Sequence, residues 1–149
     1  MSDIYEYSDE ELQELGKIIV WTTVYAAVHN DGVINASERA EAIKQTHIRT
    51  FSSEEYLQPI YKHLDSHFEA DFDAAVASLS GSQEEKEAVI QERIADATHI
   101  LSSIGPLFTD RFTKELTNLY NRVFIADSSI FQIFMLPILT SQLNKHNKK

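Results

Sequence analysis

Apolar residues recur along this chain every three or four positions, the spacing of an α-helix that buries one face. The first such run opens at Ser8, which pairs with Glu11 as a capping box, and predicts a helix from about Asp9 to His29. Leu12, Leu15, Ile19, Thr22 and Ala26 carry its stripe. From Ile18 to Val28, however, apolar residues occur on all sides, Trp21 and Val24 among them. A helix that is apolar all round is a buried one, so this element is expected at the centre of the fold. Asn30, Asp31 and Gly32 end it, with Gly32 free to take a left-handed backbone.

The same signals continue downstream. Asn35 with Glu38 opens a second helix to about His47, presenting Ala36, Ala40 and Ile43. Ser52 with Glu55 opens a third, kinked or broken near Pro59. A short helix from Ala70 to Leu79 presents Phe72, Val76 and Leu79. Ser82 with Glu85 caps a long helix to Ile104, with Ile90, Ile94, Ala97 and Leu101 as its stripe, and Gly105-Pro106 stops it. Thr109 caps a helix through Phe112, Leu116, Leu119, Val123 and Phe124. Asp127 or Ser128 opens a last one to about Leu143.

No segment alternates with the period of a strand, and no linker divides the chain. The pattern predicts an all-α fold, a single domain over residues 1–149 built as a bundle of about seven helices, with flexible ends at 1–7 and 144–149. A shift of 73 residues lays Ala27-Val28 over Ile100-Leu101, Gly32 over Gly105, Ile34 over Leu107 and Ile43 over Leu116. This is a weak internal two-fold repeat.

Charge changes the picture in one respect. The net charge of −10 is uneven: residues 1–96 hold 20 acids against 7 Lys/Arg, −13, and residues 97–149 hold 3 against 6, +3. Such an acidic body lacks the clustered Lys and Arg of a nucleic-acid interface and suits a cation or a basic partner. With no cysteine, disulfides, thiolate metal sites and cysteine nucleophiles are excluded. The amino terminus is acidic, without the apolar segment of a signal peptide, and Ile18–Val28 falls short of the ~20 residues of a membrane span. The expected location is cytoplasmic.

Four places carry candidate chemistry. Asp31 and Glu38 flank the corner between the first two helices, where they could hold a divalent cation or simply cap helices. Asp31, Gly32, Ile34 and Glu38 also fall at positions five, six, eight and twelve of an EF-hand loop. Ala27 and His29 then stand at positions one and three, where oxygen ligands are needed, so an EF-hand is excluded. His63 and His67, at i and i+4, share a helix face, as transition-metal ligands or as a polar surface. Glu92, Asp96 and His99 share another, a relative of the Glu-x-x-His element of carboxylate-bridged bundles, or a surface stripe.

The fourth place is Ile130–Leu139, apolar nearly all round and interrupted by Pro137. It is expected either in the core or as a face for self-association or a protein partner. No nucleophile elbow and no glycine-rich phosphate loop is present, so no catalytic residue and no cofactor-binding residue is assigned.

The run Ala26-Ala27-Val28-His29-Asn30-Asp31-Gly32-Val33-Ile34-Asn35-Ala36-Ser37-Glu38 resembles the signature of the tellurite-resistance TerB family: an apolar helix, Asp-Gly, an aliphatic position, a small polar cap and Glu. The resemblance implies an all-α fold whose signature recurs in the second half. It also implies a non-enzymatic binding or scaffolding module linked to metal or chemical stress. Acidic corner residues of that family bind divalent cations, and Asp31 and Glu38 match the first corner. At the second corner Ile104 and Arg111 take the matching positions, and neither can ligate a cation. The implied site is therefore one-sided and weak. Two alternatives stay open. One is a metal-dependent helical-bundle enzyme using His63, His67, Glu92, Asp96 and His99. The other is a structural homodimer formed through the last helix.

Overall fold

The computed structural model describes residues 6–31, 34 and 36–123. Every element among them is helical: α1 (Asp9–Asp31), α2 (Ala36–Ser52), α3 (Gln58–Asp65), α4 (Phe68–Ala77), α5 (Gln83–Ala97), α6 (His99–Ile104) and α7 (Pro106–Val123). The expected helix over 128–143, with its candidate association face Ile130–Leu139, lies outside the described residues. So do the flexible end at 144–149 and all but Glu6 and Tyr7 of the one at 1–7.

Helix α1 is the axis of the bundle, as its pattern requires. Leu15, Ile18, Ile19, Val20 and the run from Thr22 to Val28 are buried, and α1 packs against each of the other six described helices, most extensively α5. Two threonines inside it would leave hydroxyls without water, but Thr22 donates to the Ile18 carbonyl and Thr23 to that of Val20. The capping box at its start is formed: Ser8 N–H donates to Glu11 Oε1 at 2.9 Å and Glu11 N–H to Ser8 Oγ at 3.1 Å. The box at Ser82 and Glu85 opens α5 in the same way.

The core from the other helices follows the expected stripes on α5 and α7. Ile90, Ile94 and Ala97, then Leu101 of α6, are buried, as are Phe112, Leu116, Leu119 and Val123, on helices that each pack against α1. Helix α2 departs from expectation. It buries Ala42, Thr46 and Thr50, while Ala36 and Ala40 are exposed and Ile43 is half-buried. Threonine reads as polar in the pattern, yet each hydroxyl bonds back to a carbonyl of the preceding turn: Thr46 to Ala42 and Ile43, Thr50 to Thr46. A methyl face with a satisfied hydroxyl packs as a core residue.

Several boundaries also differ from those expected. Ser52 does not open a helix; it closes α2, and its hydroxyl donates to the Ile48 carbonyl. The next helix begins at Gln58 with Pro59 in its first turn, where a missing N–H costs nothing. The long helix expected over 82–104 is broken at Thr98 into α5 and α6. Thr109 lies inside α7, which starts at Pro106 behind Gly105 (φ 127°, ψ 164°), so its hydroxyl serves the Gly105 carbonyl rather than a cap.

Candidate functional site

At the first helix corner Asp31 is the last residue of α1, and its side chain is outside the described residues, as is Asn35. Glu38 sits half-buried in the first turn of α2, where a carboxylate meets the positive end of the helix.

Beneath that corner the end of α1 meets α5 and α7 in a polar knot. His29 Nδ1 lies 2.8 Å from Glu87 Oε2, with both side chains less than a fifth exposed. Gln83 Nε2 donates to Glu87 and to the His29 carbonyl at 2.9 Å each. The Tyr25 ring neighbours those of His29 and Tyr120, with centroids 5.1 and 5.9 Å away. Burial first, and the Glu87 charge second, push the Tyr25 hydroxyl well above the ordinary phenol range.

His63 lies in α3 and His67 between α3 and α4, so the expected single helix face is not formed, but the two side chains are neighbours. Their rings meet edge-on at 5.5 Å, and His67 Nδ1 contacts Asp71 Oδ2 one turn into α4. Glu92 and Asp96 on α5 and His99 on α6 are exposed. Among the described residues no three His, Asp or Glu side chains form a group that could hold a metal ion.

What His63, His67 and Asp71 border is a groove of about 780 Å³ between α1, α3 and α4, within the ~300–1,000 Å³ usual for small-ligand clefts. Leu12, Gly16, Val20 and Trp21 of α1 line it with Leu64, Ala74 and Ala75. Gln13, Lys17, Ser78 and Arg93 add polar groups, Arg93 reaching it from α5. Three backbone segments are held there by the α1 core. Leu64 is buried and lies against Gly16, and Phe68, Phe72 and Ala75 anchor α4.

The groove takes His63 and His67 from the sequence-derived candidates; none of Glu38, Glu92, Asp96 or His99 lines it. Its other chemistry-bearing members, Lys17, Asp71 and Arg93, carried no motif. The one local signal was Gly16, a glycine inside an otherwise unbroken helical pattern.

A second buried polar group involves Tyr61 of α3. Arg49 Nε donates to Glu115 Oε2 at 2.7 Å, and the Tyr61 hydroxyl donates to the same oxygen at 2.6 Å, joining α2, α3 and α7. Burial and the Glu115 charge push the Tyr61 hydroxyl well above its ordinary range.

Comparison with family models, with characterised proteins and with solved structures gives no match for this chain. None of the described helices is long and apolar enough to cross a membrane.

Proposed function

We propose that the protein is a binding module whose ligand-accepting face is the groove along α1. The groove itself carries the reading. It has the volume of a ligand cleft, an apolar floor of Leu12, Val20, Leu64 and Ala75, and a few convergent polar groups at its edge, the usual make-up of a small-molecule site. The resemblance of residues 26–38 to the TerB signature supports the same class of function and is the sole source of a link to metal or chemical stress. The helix order is consistent with the repeat that accompanies this resemblance: α1 ends at Asp31 and α6 at Ile104, 73 residues apart.

Amide chemical-shift mapping with two neutral apolar probes, indole and cyclohexanol, tests the groove reading. Saturable shifts concentrated on residues 12–21 and 63–78 are expected. Shifts elsewhere, or none, remove the groove as the binding face.

A further inference from the structure

We propose that the groove selects a small amphiphilic carboxylate, its anionic head held by Arg93 and Lys17 and its apolar body laid along Leu12, Gly16, Val20 and Trp21. The inference rests on the groove being the binding face and adds the chemical class of its ligand.

Charge points first to an anion. Residues 1–96, which supply every groove residue, carry −13, so an arbitrary patch of this surface is expected to be acidic. The groove reverses that balance. Lys17 and Arg93 outnumber its single carboxylate, Asp71, and that carboxylate is already engaged by His67 Nδ1. Arg93 forms no salt bridge among the described residues. An exposed guanidinium offers two parallel N–H donors that match a carboxylate. Lys17 is shared with Glu14 at 3.0 Å in an exposed i,i+3 contact, which is weak and exchangeable. A metal cation would find little here, since among the described residues no three His, Asp or Glu side chains are grouped to hold one.

The floor points to an apolar body. Gly16 sits in the middle of α1, a position where glycine is costly relative to alanine. Packing does not demand it, because a Cβ there would meet Leu64 Cδ1 at 3.5 Å, an ordinary contact. Gly16 is buried against Leu64, so at this point the groove is floored by backbone, with Leu12, Val20 and Leu64 as its apolar side chains. Half-buried Trp21 and exposed Arg93 both line the same groove, so a ligand long enough to span it has an aromatic side chain and a guanidinium available. A bare inorganic anion would leave this floor unused, and a neutral apolar molecule would leave Arg93 unused.

Trp21 is the chain's single tryptophan, so intrinsic fluorescence reports on the groove directly. Decanoate, decanol and decylammonium are titrated below their micellar concentrations into the full-length protein and into Arg93→Gln and Gly16→Leu. Decanoate is expected to bind saturably and about tenfold tighter than decanol. Arg93→Gln should lower decanoate affinity about tenfold and leave decanol unchanged. Gly16→Leu should abolish binding of both with the helical circular dichroism retained.

Equal affinity for decanoate and decanol, tighter binding of decylammonium, or a decanoate affinity untouched by Arg93→Gln overturns the anion assignment. If Gly16→Leu still abolishes binding in that case, the groove reading survives. No saturable change with any of the three overturns both. Arg93 is exposed, so the Arg93→Gln result stands even where Gly16→Leu compromises folding.

Discussion

Arg49 and Glu115 meet with 12% and 13% of their side chains exposed, so neither charge can turn to water if the other is removed. Glu115→Ala is expected to destabilise the protein by about 3–5 kcal/mol in urea unfolding, since it strands a guanidinium in the interior. The double variant Arg49→Met with Glu115→Leu should recover most of that loss, because desolvating the pair offsets much of its attraction. Tyr61→Phe, which removes one hydrogen bond and keeps the ring, should cost about 1 kcal/mol. Nothing local marks these residues: Arg49 and Glu115 stand 66 positions apart and meet only once α2 and α7 are packed. Asp31 and Glu38 are the opposite case, singled out from sequence because they lie seven positions apart, at the end of α1 and in the first turn of α2. Calorimetry with Ca²⁺, Mg²⁺, Mn²⁺ and Zn²⁺ checks what they do. A weak cation site there predicts binding that Asp31→Ala removes. No binding, or binding that survives Asp31→Ala, makes the corner architecture alone.

Helices that begin with a capping box were legible to the residue, because the box is a local device: Ser8 with Glu11 and Ser82 with Glu85 both stand where the pattern put them. Ser82→Ala should cost about 1 kcal/mol for the same reason. Ser52 with Glu55 has the same spacing and forms no box, because α2 runs on through Ser52. Pro59 was read as a break and is instead a start, a choice that depends on where α2 stops rather than on the proline. The clearest element-scale signal is Gly105, between α6 and α7. Its φ of 127° and ψ of 164° lie in a region open essentially to glycine, and no atom lies within 4 Å of where a Cβ would stand. Gly105→Ala therefore adds backbone strain without a clash. It is expected to lower stability by about 1–3 kcal/mol in thermal or urea unfolding. A smaller effect would mean that α7 can re-seat its first turn and that the corner is not held by this residue.

At the scale of the molecule, the all-α class and the central place of α1 follow from periodicity alone, whereas the groove does not. It is assembled from α1, α3, α4 and α5, and its charged members Lys17, Asp71 and Arg93 are ordinary surface residues until packing brings them to one cleft. The same packing buries phenols at several depths, and this gives the whole fold a shared response to alkali. Tyr25, Tyr56, Tyr61 and Tyr120 all have hydroxyls held above the phenol range, with burial the largest cause in each. A group whose proton is bound more tightly in the folded state contributes stability that is fully present below its unfolded value, about 10, and is lost as pH climbs above it. Stability should thus be insensitive to these groups at neutral pH and fall steeply beyond about pH 10. Phenolate absorbance should not rise smoothly for all six tyrosines. The four held groups should ionise late and together, coincident with loss of helical circular dichroism. A single titration near pH 10, with helicity retained, would show that the phenols reach solvent without unfolding and that the interface of α1 with α3, α5 and α7 opens far more readily than its burial implies.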